Sequence, residues 1–251
     1  MKTFPLLAAL VLLAACSAGE PAAATSPSNT VPLSGAQCPD RSSSWRQVRF
    51  ADPDGTSLAG LELGTGTTGV VLAHEDRDNA CEWLPFGKQL VDRGYRVLAF
   101  DFAGEGASEP HRSSSRLEDD VVSAVHFLKA DKVVLMGASK GGTASLVAAT
   151  MLTPPPAAVV SLSGPTVFMG IDAGAAVPKL TSPVLYLAAE GNTPFAENAQ
   201  TLYDATPATD DRAIFIAIGG EHATALFYGA QGDQVTAAID KILAAHAPPT
   251  K

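Results

Sequence analysis

Cysteine is scarce, a long apolar run occurs once, and positive charge is in short supply. The 251 residues contain three cysteines, and 17 Lys and Arg stand against 26 Asp and Glu, a formal net charge of −9. An acidic chain is a poor partner for phosphate backbones, so nucleic acid is not an expected ligand. Cys38 and Cys81 lie too far apart for the paired spacing of a zinc site. Beyond the first sixteen residues no stretch approaches the length of about 18 apolar residues that a membrane-spanning helix requires. There is no internal repeat and no Walker sequence. The one match to GxGxxG, "GTGTTG" at 64–69, runs straight into the strand-like "VVLAH" instead of opening a helix. Pyrophosphate would then meet no helix N-terminus, so a nucleotide cofactor is not expected, nor any other cofactor or metal.

With 46% hydrophobic and 17% charged residues, the composition is that of a folded chain, long enough to bury one large core. It opens "MKTFPLLAALVLLAAC": a lysine, an apolar stretch and a small-residue exit, the pattern of a secretory signal over residues 1–15. "LAAC" resembles the lipobox of bacterial lipoproteins. That resemblance implies acylation of Cys16 and anchoring to the outer face of the cell membrane or envelope; ordinary cleavage nearby is the alternative. Loss of residues 1–15 removes only Lys2 among the charges, leaving 16 cations against 26 acids, or −10. Residues 16–37, rich in Ala, Ser, Pro and Thr, read as a flexible tether, and the folded domain as 38–251. With Cys16 lipidated, Cys38 and Cys81 form an even pair in an oxidising compartment, either bridged by a disulfide or left as two buried thiols.

The rest of the chain alternates. "WRQVRFA" and "SLAGLELG" flank the turn signal "DPDG" and predict an opening hairpin. Apolar strands at 69–74, 95–101, 132–137, 157–164, 183–189 and 212–219 are separated by helices predicted at 81–94, 116–130, 140–152, 195–205 and 232–246. Continuous apolar strands between helices predict a three-layer α/β/α sandwich: a mostly parallel eight-stranded sheet, opened by the hairpin and covered on both faces. In such sheets ligands bind beyond the carboxyl ends of the strands.

Gly137-Ala138-Ser139-Lys140-Gly141 satisfies G-x-S-x-G between the strand "KVVLM" and the helix "GGTASLVAAT". This is the context of a nucleophile elbow, where a sharp strand-to-helix turn exposes the serine oxygen above the sheet. From here the chain resembles the α/β-hydrolase superfamily over residues 45–246. "FDFAGEGAS" (100–108) is similar to that family's D-x-x-G-x-G-x-S turn, with Glu105 where His is common. "GGEHATAL" (219–226) looks like its terminal histidine loop and nominates His222 as general base to a Ser139 nucleophile. His111, His126 and His246 are read as structural or solvated. "AHED" (73–76) ends the third strand, where the family supplies an oxyanion donor, so the N–H of Glu75 or Asp76 is expected to act with that of Lys140. Glu75 also resembles the dienelactone-hydrolase branch, where a glutamate touches a cysteine nucleophile; a solvated loop charge is the other reading.

The family places its triad acid after the strand "PVLYLAA", and Asn192 stands there. Glu190 is the nearest substitute, followed by Glu197 and Asp172. The 164–182 segment is too short for a large cap domain, which favours small or extended soluble substrates. The resemblance implies a serine hydrolase acting on a carboxylic ester or lactone, and a peptidase fits the same elbow. Asn192 favours a second reading, a hydrolase fold retained as a binding or scaffold lipoprotein. Nothing in the sequence addresses oligomeric state.

Overall fold

A computed structural model of the chain describes Met1, Cys38 and residues 44–112, 116–208 and 211–249. Most of the expected signal, Cys16 and the tether to residue 37 lie outside the described residues. The chain begins its sheet with an antiparallel hairpin, β1 (Arg46–Ala51) and β2 (Ser57–Leu63). Its turn is built on Asp52, whose Oδ1 accepts N–H bonds from Asp54 at 3.0 Å and Thr56 at 2.8 Å. Then follow β3 (Thr68–Ala73), α1 (Leu84–Asp92), β4 (Arg96–Phe100), α2 (Leu117–Leu128), β5 (Lys132–Ala138), α3 (Lys140–Met151) and β6 (Ala158–Leu162). A two-stranded hairpin, β7 (Val167–Phe168) and β8 (Ile171–Asp172), leads to the single turn α4 (Ala173–Ala176). The chain closes with β9 (Val184–Ala189), α5 (Thr193–Ala205), β10 (Arg212–Ala217) and α6 (Gly232–His246).

Eight strands form one sheet in the order β1-β2-β4-β3-β5-β6-β9-β10. β2 pairs antiparallel with β1 and β4, and every pairing from β4 to β10 is parallel. All six residues of β3 are buried, as a strand covered on both faces requires. Alternation along it divides the core: Val70 and Leu72 pack with Leu90 of α1 and Ile239 of α6. Val71 and Ala73 pack with Val121 of α2, Ala144 of α3 and Leu202 of α5 on the opposite face. The three-layer sandwich predicted from the apolar runs is therefore the observed fold. Residues 164–182 hold only the small hairpin, α4 and a short 3-10 turn, so no large cap covers the strand ends.

Two predicted helices start elsewhere, and both carry proline in the first turn. The helix expected over 81–94 is a 3-10 turn at Ala80–Trp83 followed by α1 from Leu84. Pro85 has no N–H to give to a preceding turn, so the α-helix begins beside it. The helix expected from 195 starts at Thr193, with Pro194 in its first turn. Cys38 and Cys81 are joined by a disulfide with their Cα atoms 5.4 Å apart, which resolves that pair in favour of the bridge. "GTGTTG" links β2 to β3: Gly64 has φ +88°, and a Cβ on Gly66 would lie 2.1 Å from the Gly94 carbonyl oxygen. Close backbone packing, not pyrophosphate, accounts for those glycines. No helix among the described residues is long and apolar enough to cross a membrane.

Candidate active site

Ser139 occupies the one-residue joint between β5 and α3, at φ 48° and ψ −114°. A non-glycine residue there is strained, and the neighbours hold it in place. The Ser139 N–H donates to the Leu162 carbonyl of β6 at 2.7 Å. A Cβ on Gly137 would sit 2.1 Å from the Gly141 carbonyl oxygen, and one on Gly141 would sit 2.2 Å from that of Ala73. The spacing G-x-S-x-G is thus the footprint of a turn that leaves no room for side chains on either flank. Ser139 is 7% exposed, and its hydroxyl makes no hydrogen bond among the described residues. Lys140 begins α3, so its N–H belongs to the first helical turn, where N–H groups have no intrahelical partner.

His222 lies on the loop after β10, its ring 4.1 Å from that of Phe195. Its Nδ1 is 2.9 Å from Asn192 Nδ2, and the same nitrogen is 3.3 Å from the Glu221 carbonyl oxygen. A carbonyl accepts only from a donor, which sets the Asn192 NH2 group on this side. That NH2 then donates to Nδ1 as well, and the ring proton resides on Nε2. Burial holds the His222 pKa below its ordinary value, which keeps the ring neutral. Nε2 faces the Glu75 carboxylate at 3.8 Å. The sequence placed Asn192 opposite the histidine, and the geometry brings them together. The substitutes are elsewhere: Glu190 and Glu197 are exposed, and Asp172 accepts from the Ala175 N–H at 2.8 Å to cap α4.

The loop after β3 departs from expectation at Glu75. Its N–H donates to Glu82 Oε1 at 2.8 Å, so it is not available to an oxyanion. Asp76 carries the other N–H expected there, and that group is not engaged by another among the described residues. Glu82 Oε2 accepts from Thr224 Oγ1 at 3.4 Å, two residues beyond His222. Burial is the main cause that pushes Glu82 up to about 9, and the Glu75 and Asp78 charges add to it. Glu75 is raised too, by burial first and then by Asp78 and Asp76. Carboxylate oxygens of Glu75, Asp78 and Glu82 lie within 4.8 Å of one another, and Glu82 keeps its proton at neutral pH. Beneath it His74 is locked as a neutral ring: Nδ1–H donates to the Glu75 carbonyl at 2.8 Å and Nε2 accepts from the Phe102 N–H at 3.1 Å. Burial, with Lys140 nearby, lowers its pKa to about 3.

Lys140 turns its side chain away from solvent. It is 1% exposed, pairs with both oxygens of Glu105 and lies 5.1 Å from the Phe102 ring centroid. Glu105, where the family commonly has His, thus ties the loop after β4 to the residue beside the nucleophile. The remaining histidines sit away from the serine: His126 is exposed, His246 is 3.3 Å from Asp211, and His111 is 3.0 Å from Asp120. Sequence reasoning missed Glu82, His74 and Phe195. A polar residue near a loop end was the only local signal for Glu82 and His74, and Phe195 offered none.

Strand order, a serine elbow after β5 and a histidine loop after β10 define an α/β-hydrolase. The model of the family described as serine aminopeptidase, S33, matches residues 67–218, more than half the chain, and the chain belongs to that family. Among curated proteins, the uncharacterized protein YfhR of Escherichia coli K12 is 30% identical over 108 residues, covering 38% of each chain. A 2-hydroxy-6-oxononadienedioate/2-hydroxy-6-oxononatrienedioate hydrolase of Cupriavidus pinatubonensis is 32% identical over 165 residues, 60% of this chain and 55% of that one. The chain thus spans about two fifths of the length of the first curated relatives it matches. The solved esterase Pf2001 of Pyrococcus furiosus aligns with a TM-score of 0.71 at 15% identity, over 80% of this chain and 92% of that one. Esterase RhEst1 of a Rhodococcus species aligns at 0.67 and 15%, over 79% and 98%. At such identity these likenesses speak for the fold.

Proposed function

We propose that this chain is a slow serine hydrolase that cleaves carboxylic esters or lactones through an acyl-enzyme on Ser139. The observation that carries this reading is the joint itself: Ser139 at φ 48° and ψ −114° between β5 and α3, with Gly137 and Gly141 packed too closely for side chains, the geometry of a nucleophile elbow. In the reaction the serine oxygen attacks the carbonyl, His222 Nε2 takes its proton, and the N–H groups of Lys140 and Asp76 receive the oxyanion. The acyl-enzyme forms as His222 returns the proton to the leaving oxygen, and water repeats the sequence to release the acid.

His222 accepts that proton only as its other tautomer: the ring gives its Nε2 proton to solvent and takes one on Nδ1, while the Asn192 amide turns its oxygen toward Nδ1 and breaks the bond to Glu221. Asparagine at this position also offers no charge to the imidazolium. In a serine protease the equivalent change costs about 10⁴ in turnover, roughly 5.5 kcal/mol of barrier. Asn192 is equally the observation behind the second reading, a binding or scaffold protein on a hydrolase fold. The disulfide supports an exported chain, and we extend the proposal to a lipoprotein anchored through Cys16, which a radiolabelled or alkyne fatty acid would tag in wild type and not in Cys16→Ser.

Fluorophosphonate labelling of the full chain tests the hydrolase reading, with Ser139→Ala and Asn192→Asp alongside. Labelling that is slow in wild type, faster in Asn192→Asp and lost in Ser139→Ala is the expected result. Folded wild type and Asn192→Asp that both stay unlabelled would overturn it in favour of the binding protein.

A further inference from the structure

A second cluster contains none of the residues assigned to the reaction. Asp52 in the β1–β2 turn, His111 in the loop before α2 and Asp120 in the first turns of α2 converge. One ligand-type atom from each lies within 4.8 Å of the others. His111 Nε2 is 3.0 Å from Asp120 Oδ1 and 4.0 Å from Asp52 Oδ2. Both aspartate side chains are fully buried, and the imidazole is 21% exposed.

The second oxygens account for themselves. Asp52 Oδ1 holds the hairpin turn, and Asp120 Oδ2 accepts from the Ala103 N–H at 2.9 Å. Asp52 Oδ2 does not: it is buried without a hydrogen-bond partner among the described residues, and it points at the imidazole. Neither aspartate is paired with Lys or Arg among the described residues, and Arg112 pairs with Glu109 instead. Two buried carboxylates therefore face a single imidazole, which offsets at most one of their charges.

We propose that Asp52 Oδ2, His111 Nε2 and Asp120 Oδ1 bind a divalent metal ion of the zinc type, with solvent completing the shell. Ligands about 2.1 Å from a tetrahedral ion stand about 3.4 Å apart, and the observed 3.0 and 4.0 Å bracket that value. One imidazole with two carboxylates suits zinc or cobalt better than calcium or magnesium, which prefer oxygen alone. The partly exposed imidazole edge gives the ion a way in. Bound there, the ion fastens the opening hairpin, the loop after β4 and α2 to one point. The same loop carries Glu105, so the ion steadies the partner of Lys140 without touching the reacting atoms.

The test is titration of the chelator-treated full chain with Co²⁺ and Zn²⁺. Calorimetry, the visible absorption of Co²⁺ and thermal unfolding are the readouts. Expected are one equivalent bound, a Co²⁺ spectrum with a nitrogen ligand, and a Tm rise of roughly 5 °C at a hundredfold excess over Kd. His111→Ala and Asp52→Asn should lose all three, while His126→Ala keeps them. Asp52→Asn retains the oxygen that holds the turn, so it serves even if His111→Ala does not fold. Binding that survives Asp52→Asn, binding of Ca²⁺ with indifference to Zn²⁺, or no binding to folded wild type would each overturn the site.

Discussion

At the scale of single residues, the chemistry turns on which nitrogen of His222 carries a proton. The Asn192 NH2 donates to Nδ1, so the resting ring holds its hydrogen on the atom that must accept one. Asn192→Asp supplies an acceptor and a charge together. It should raise kcat toward ordinary esters by up to about 10⁴, read by steady-state kinetics. It should also move the acid limb of kcat/KM upward. In wild type, burial keeps His222 neutral to lower pH than a free imidazole, whereas a carboxylate at 192 would stabilise the imidazolium. Glu82 gives a second readout. Its folded pKa of about 9 lies above the ordinary 4.5, so the folded state binds more protons than the unfolded one between those values. Stability from this group is full below pH 4.5 and is lost as pH rises toward 9, with a slope of at most about 1.4 kcal/mol per pH unit. Glu82→Gln keeps an acceptor for the Glu75 N–H, and urea unfolding between pH 5 and pH 8 should show a flatter dependence than wild type.

At the scale of elements, the elbow depends on two backbones touching. Gly141 of α3 passes so close to the end of β3 that an added Cβ would lie 2.2 Å from the Ala73 oxygen and 2.7 Å from that of His74. Gly141→Ala must therefore push α3 away from the loop that holds Asp76. We expect a loss of about 1–3 kcal/mol in stability and loss of fluorophosphonate labelling, the first measured by denaturation. The elbow was legible in the sequence because its causes are local: small residues flank one serine between a strand and a helix. The sheet was legible for a similar reason, since β3, β6 and β9 are mostly apolar and buried along their whole length. What escaped sequence reasoning joins distant positions. Lys140 meets Glu105 across 35 residues, and Glu82 reaches back to Glu75 only because a 3-10 turn at 80–83 redirects it. No periodicity records such pairings. Proline accounts for the misjudged starts of α1 and α5, where the apolar pattern ran ahead of the helix at one and behind it at the other.

At the scale of the whole molecule, the bridge between Cys38 and Cys81 closes a loop with a sequence separation of 43 residues. In the chain-entropy model such a loop is worth up to about 4 kcal/mol. Reduction with the fold otherwise intact should lower the unfolding free energy by an amount of that order, measured by denaturant titration with and without reductant. The loop encloses β1, β2 and β3, three of the eight strands, including the one that leads into Glu75 and Asp76. The bridge has a mechanical consequence as well. A pull on the segment before residue 38 enters the molecule at Cys38 and leaves through Cys81, by covalent bonds alone. The enclosed strands then carry no load, and about 150 Å of chain, at some 3.5 Å per residue, is withheld from extension. While the bridge holds, a pull from that side does not draw out β1, β2 or β3 one after another.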